Sequence, residues 1–148
     1  MVQPTSHAEV QTVVRFARDR GMPIAVRGGG HDWAGRSLVD GGLVIDMSLM
    51  RGVVVDQASS VATLAGGATA ADVVAAAEPY GLAAATGMVG EVGMVGLTLA
   101  GGYGPLNGVA GLAIDNMVGA ELVLGDGRDV TVNAHSEPDL LWALRGGG

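Results

Sequence analysis

Two glycine-rich segments decide the fold: residues 27–35, with the sequence RGGGHDWAG, and residues 86–104, with the sequence TGMVGEVGMVGLTLAGGYG. Consecutive glycines lose more backbone entropy on folding than other residues do, so a domain gains little from them unless its backbone must approach something closely. Runs of peptide N–H groups without side chains form concave sites for anions such as a diphosphate. One Gly-Gly pair is typical of an ordinary turn or of tight packing. Two long segments favour a large phosphate-bearing ligand.

The residues around the first segment predict alternating helices and strands. Ser6 and Glu9 predict a capping box, and the apolar residues after them follow helical spacing as far as Ala17. A short buried strand at 24–26 enters the glycine turn. Further β-type runs, separated by Gly or Ser, lie at 43–46, 53–56 and 61–64.

A helix precedes the second segment, and a hairpin follows it. Thr69 predicts the cap of a helix over 70–77. The β-type runs at 118–124 and 130–132 flank a turn at Gly125-Asp126-Gly127, in which Asp-Gly is expected to supply the positive φ angles of a tight hairpin turn. Ser136 and Pro138 then predict the start of a last helix that runs to Leu144.

The order of these elements predicts an α+β fold. The chain has 148 residues, which suits one domain with one hydrophobic core. Within it we expect two small lobes, one at about 1–66 and the other at about 67–148.

The composition excludes several classes of protein. The formal net charge is −7, and all eight cationic side chains are Arg because the chain has no Lys. Nucleic acid is excluded as a partner, since contact with phosphates needs concentrated positive charge. Without Lys the chain forms neither a P-loop nor a Schiff base with pyridoxal phosphate. Without Cys it has no disulfide, thiolate nucleophile or cysteine-built metal site.

Other common sites and targeting signals are also missing from the sequence. No G-x-G-x-x-G stands between a strand and a helix, so a Rossmann site is excluded. His7 and His135 lie in polar surroundings, and no spacing of His, Asp and Glu indicates a metal site. The N-terminus shows no signal peptide and no run of apolar residues indicates a membrane span, which favours a cytoplasmic over a secreted location without deciding it.

Several motifs, taken in order, resemble one family. They are PTS at 4–6, RGGGHD at 27–32, VIDMS at 44–48, GMVGLTLAGGYG at 93–104, GLAIDN at 111–116, DGR at 126–128 and DLLWALRGGG at 139–148. Through them the chain resembles the FAD-linked oxidases that share the PCMH-type FAD-binding domain of vanillyl-alcohol oxidase, and more narrowly the berberine-bridge-enzyme-like branch. The resemblance implies a PCMH-type domain of two small α/β lobes.

The resemblance also implies FAD as the cofactor, held by both glycine segments. In the family the Gly-Gly-Gly-His turn wraps the diphosphate and its His bonds to the 8α carbon of the flavin, a role that falls on His31. Some members form a second, cysteinyl bond, but Val89 stands at that position here, so a single covalent link is expected. Asp32 stands where Ser is commonest and brings a carboxylate near the phosphates.

Arg27 and Asp115 each have a second explanation, an ion pair for the former and a turn cap for the latter. The residues expected to contact FAD, His31 included, are Arg27, Gly28, Gly29, Gly30, His31, Asp32, Gly87, Met88, Val89, Gly90, Val92, Gly93, Gly96, Gly101, Gly102 and Asp115.

For function, the resemblance implies an oxidoreductase. It would move a hydride from a C–H bond of a small alcohol, sugar or secondary metabolite to flavin N5, with O2 as the expected acceptor. Family members carry the catalytic base on a separate substrate domain, so this chain is expected to be a C-terminally truncated, N-terminal fragment. We expect it to contain no catalytic residue and no metal, to be inactive alone and to self-associate through uncovered apolar surface. The alternative is a non-catalytic FAD- or nucleotide-binding module, or a remnant that needs a partner chain.

Overall fold

The computed structural model describes residues 1–146, so Gly147 and Gly148, the end of the second predicted lobe, lie outside the described residues. In this range no helix combines the length and apolarity needed to cross a bilayer. Its α-helices are α1 (His7–Asp19), α2 (Ala70–Ala77), α3 (Met94–Leu99), α4 (Asn107–Ala110) and α5 (Pro138–Leu144). Its strands are β1 (Ile24–Arg27), β2 (Leu43–Asp46), β3 (Val53–Asp56), β4 (Val61–Leu64), β5 (Gly119–Val123) and β6 (Asp129–Asn133).

The strands of residues 1–146 form three separate two-stranded sheets. β1 and β2 are parallel, with Arg27 opposite Asp46 at their carboxyl ends. Val2 extends this sheet, because it bridges to Ile45 in parallel. The pairs β3–β4 and β5–β6 are antiparallel hairpins. Small sheets mixed with helices confirm the predicted α+β fold.

α1 packs against strands from distant parts of the chain. The Ser6 side chain accepts from the backbone N–H of Glu9, as predicted, but the Glu9 carboxylate accepts from the backbone N–H of Thr5 instead of closing the box on Ser6. The buried face of α1 contains Val14 and Ala17 and lies against β2 and β5. Side chains of α1 also hydrogen-bond to the turn of the β5–β6 hairpin, through Gln11, Arg15 and Arg18.

α2 belongs to the main apolar cluster. Its Val73 packs with Met94 of α3 and with Ala113, and partly buried apolar side chains from β3 and β4 surround them. α2 therefore lies on a hairpin from the first predicted lobe, while α1 lies on a strand from the second. Contacts cross residue 66 in both directions, and the boundary between two lobes there stays a prediction.

The turn of the β5–β6 hairpin differs from the prediction. Only Gly127 of this turn has a positive φ, +79°, and its backbone N–H donates to the carbonyl of Leu124. The two sides of the loop are joined by a hydrogen bond from the N–H of Leu124 to the carbonyl of Arg128. The loop thus consists of the predicted residues Gly125, Asp126 and Gly127 and differs from the prediction only in its φ angles, because one left-handed glycine suffices, as in three-residue hairpin loops that end in a bulge.

The start of α2 is held by a network around Asp72. The Asp72 carboxylate accepts from the backbone N–H and the hydroxyl of Thr69, which completes a capping box. The Arg51 guanidinium donates to both carboxylate oxygens, at 2.8 and 2.7 Å. Hydrogen bonding from Arg51, with the bonds from Thr69, lowers the pKa of Asp72 from 3.8 to about 2.

This network predicts a pH-dependent contribution to stability. Because the pKa of Asp72 is lower in the folded protein, the contribution is present above about pH 4 and is lost as the pH falls through about 2. Asp72→Asn should lower the free energy of unfolding at pH 7 by about 1–2 kcal/mol, the usual cost of a lost cap with its ion pair. The deficit should vanish near pH 2 in urea denaturation curves. Arg51→Ala should reduce the fall in stability between about pH 4 and pH 2, because it removes the first cause of the low pKa of Asp72. A stability deficit of Asp72→Asn that does not change with pH would contradict this account.

Candidate functional site

The two glycine segments touch each other through their backbones. A Cβ atom added to Gly29 would lie 2.3 Å from the nitrogen of Gly93, and one added to Gly93 would lie 2.4 Å from the nitrogen of Gly29. Atoms at such distances overlap, and backbone has no rotamer by which to move away. Glycine at both positions is therefore required by a contact between distant parts of the chain.

Neighbouring elements fix the position of each segment. The first leaves the end of β1, directly after Arg27. The second is hydrogen-bonded to the start of α2. The N–H groups of Ala70 and Ala71 donate to the carbonyls of Val92 and Gly90, and the N–H of Met94 donates to the carbonyl of Ala68. These bonds place the second segment beside the first.

One stretch of each segment keeps its peptide N–H groups available. No backbone N–H of residues 29–33 or 87–91 donates a hydrogen bond to another group of residues 1–146. Residues 29–33 and 87–91 are half-buried to exposed, so water can satisfy these donors in the free protein. Adjacent free N–H groups along a side-chain-poor backbone suit the oxygens of a diphosphate.

Arg27 is engaged in an ion pair, as the second explanation for it proposed. Its guanidinium donates to the Asp46 carboxylate at 3.0 Å and lies over Gly30, whose φ is +74°. Burial raises the pKa of Asp46, but hydrogen bonds from Ser48 and Gln3 and the charge of Arg27 outweigh it, and the net shift is downward. Because a guanidinium has five N–H donors, the Asp46 bond leaves others free beside the glycine turn.

His31 and Asp32 follow the three glycines. His31 is exposed to solvent, as a residue that reacts with a bound ligand requires. Asp32 is paired with Arg36, and the side-chain hydrogen bond from Arg36 lowers the pKa of Asp32. The carboxylate near the expected phosphates is therefore held by a cation in its own turn.

The remaining predicted contacts fall into two groups. Gly102, with a φ of +79°, packs on Ala113, and Asp115 accepts from the N–H of Leu112, so these two residues have roles in the fold. Gly101 shares the left-handed backbone, with a φ of +100°. The others lie along the second segment or at the start of α3, at Gly87, Met88, Val89, Gly90, Val92 and Gly96.

Two residues near the site carry a role that the sequence reasoning did not assign. Asp46 anchors Arg27, and Arg36 anchors Asp32. For Asp46 the signal was its place in the VIDMS motif, although the partner depends on the register of β1 and β2. For Arg36 the signal was its position four residues after an acid.

These features fit the diphosphate of a dinucleotide. The meeting of the segments leaves no space for side chains between them, the free N–H groups supply donors, and Arg27 adds a positive charge. A phosphate bound there would replace water on groups that have no protein partner among residues 1–146.

The comparisons with known proteins agree with this chemistry. A family model described as "FAD binding domain" matches residues 1–133. The chain is 44% identical over 143 residues to (R)-6-hydroxynicotine oxidase of Paenarthrobacter nicotinovorans, covering 97% of this chain and 31% of that protein. The chain thus spans about a third of the length of such relatives.

Solved structures show the same likeness. Glucooligosaccharide oxidase from Acremonium strictum, studied for its 6-S-cysteinyl, 8α-N1-histidyl FAD, has a TM-score of 0.93 and 35% identity over 99% of this chain and 31% of that one. The berberine-bridge-enzyme-like protein 1 of Physcomitrella patens has a TM-score of 0.93 and 34% identity, covering 98% of this chain and 32% of that one.

The contact between the segments predicts a difference between two adjacent glycines. Gly29→Ala should lower the free energy of unfolding by about 1–3 kcal/mol, because its Cβ meets backbone, which must shift. Gly28→Ala is the matched control: its Cβ would lie 3.7 Å from the carbonyl of Gly66, an ordinary contact. Thermal and urea unfolding of the two variants measure the difference. Equal effects would mean that the segments do not touch as described.

Proposed function

The chain belongs to the family of FAD-binding domains, and from this premise we propose that it holds FAD between its two glycine segments with His31 as the single covalent attachment. The observation that carries the proposal is the backbone contact of Gly29 and Gly93 with free N–H groups on both sides. Bound FAD would supply the hydride acceptor of an oxidoreductase.

Each part of the site has a task. The N–H groups of residues 29–33 and 87–91 donate to phosphate and ring oxygens. The guanidinium of Arg27, held by its hydrogen bond to Asp46, adds positive charge beside Gly30. Amide donors fixed by the fold stabilise negative charge without having to reorganise. The imidazole of His31 is exposed and follows the left-handed Gly30 directly, so it is free to bond to the ligand. Val89, at the position of the second link in some relatives, offers no thiol.

We further propose that the whole protein oxidises a small molecule. The support is the printed activity of relatives such as (R)-6-hydroxynicotine oxidase, of which this chain spans 31%. Large apolar side chains near the glycine segments are exposed, namely Trp33, Met88 and Tyr103. Such a surface suits cover by a substrate domain or by self-association, and both stay predictions.

Acid precipitation of the purified protein tests the attachment. Flavin fluorescence should stay with the precipitate of the unmodified protein, because a covalent bond survives unfolding. His31→Ala should release all flavin into the supernatant. His135→Ala, which changes an exposed histidine in the loop before α5, should retain it and serves as the matched control.

Three results would count against the proposal. Flavin in the precipitate of the His31→Ala variant would place the bond on another residue. Flavin in the supernatant of the unmodified protein would mean non-covalent binding. A colourless protein after incubation with FAD would indicate a remnant of the family that no longer holds the cofactor.

A further inference from the structure

Asp32 and Arg36 form a closed turn directly after His31. Arg36 donates from its backbone N–H and from its guanidinium to the Asp32 carboxylate, with the contact to the second oxygen at 3.0 Å. The N–H of Gly35 donates to the backbone carbonyl of Asp32 at 3.1 Å, and Gly35 has a φ of +73°. The turn therefore fixes where the carboxylate of Asp32 lies.

The residue that carries this carboxylate belongs to one of the two stretches proposed to bind the diphosphate. Asp32 lies within residues 29–33, whose N–H groups have no partner in residues 1–146. Its side chain is 25% exposed and lies in a surface turn. A diphosphate is an anion, and an uncompensated carboxylate in the turn that binds it would repel it.

The stability of the fold does not explain Arg36. Its side chain is 78% exposed and contacts Asp32 in a surface turn, and ion pairs of this kind contribute little to folding. It does hold its acid in the charged, paired form, because hydrogen bonding between the two raises the pKa of Arg36 and lowers that of Asp32. The effect of the pair therefore concerns the charge beside the glycine turn.

We propose that Arg36 is a positioning residue for the FAD diphosphate. Its guanidinium holds the Asp32 carboxylate in the turn and offsets its charge, so that the N–H groups of residues 29–33 can bind an anion. The inference rests on the proposed function, since it assigns the diphosphate to these donors. Two acids close to the site, Asp32 and Asp46, then each carry their own arginine. A third, Glu91 on the facing segment, is exposed and more strongly screened by water.

Titration with FAD in the His31→Ala background tests the inference, because binding there is reversible and flavin fluorescence gives a Kd. Arg36→Ala should weaken binding about tenfold at low salt, from the uncovered charge of Asp32. Asp32→Asn, which is isosteric and neutral, should change the Kd less than threefold, about the scatter expected for such a contact. The combination of both should restore the Kd of the background protein.

Two further measurements separate charge from turn structure. The loss caused by Arg36→Ala should shrink in high salt, and Arg36→Lys should recover part of it, because lysine keeps the charge without the fork. Arg128→Ala is the matched control: Arg128 is 72% exposed and pairs with Asp126 in the β5–β6 turn, so its loss should leave the Kd unchanged.

The outcomes are distinct. If Arg36→Ala binds FAD like the background protein, or if the added Asp32→Asn restores nothing, the inference is wrong while the proposed function stands. If Asp32→Asn weakens binding as much as Arg36→Ala, the pair acts only by shaping the turn, and the inference is again wrong. If neither the background protein nor the unmodified protein takes up FAD, the proposed function fails and the inference fails with it.

Discussion

The structure depends on one close contact, the approach of the backbone at Gly29 to the backbone at Gly93. A Cβ at either position would overlap the other segment, so two peptides from distant parts of the chain lie against each other with nothing between them. The entropy lost by ordering glycines is offset only where backbone must come this close. The same contact brings residues 29–33 beside residues 87–91, because a Cβ on Gly29 would also lie 2.7 Å from the carbonyl oxygen of Glu91, and a packing constraint therefore also shapes the candidate site.

Charge on this surface is arranged by pairs. The buried Asp46 pairs with Arg27, which lies over the glycine turn, and Arg36 pairs with Asp32, which follows that turn in the sequence. In a chain with a net charge of −7, acids close to an anion site need such partners. The glycine backbone is thus shaped by packing, while the charge of these two acids is offset by arginines that pair with them.

Much of the fold could be predicted, because local signals were strong. Helix α2 has the predicted bounds, 70–77, after its cap at Thr69, and strands β2, β3 and β4 also have the predicted bounds. α3 was missed because Gly96 interrupts its helical pattern, and the bonds from the start of α2 support it instead. The hairpin after it was predicted with its turn at Gly125-Asp126-Gly127, although only Gly127 of that turn has a positive φ.

For the site, the sequence by itself determined the chemistry: two side-chain-poor segments, an imidazole after three glycines, and no Cys at residue 89. Only the tertiary structure decided which groups meet. The partner of Arg27 depends on the parallel register of β1 and β2, and the partner of Gly29 depends on how α2 holds the second segment. Local patterns fix the conformation of nearby residues, whereas contacts between distant residues depend on how the elements pack, which no short stretch of sequence specifies.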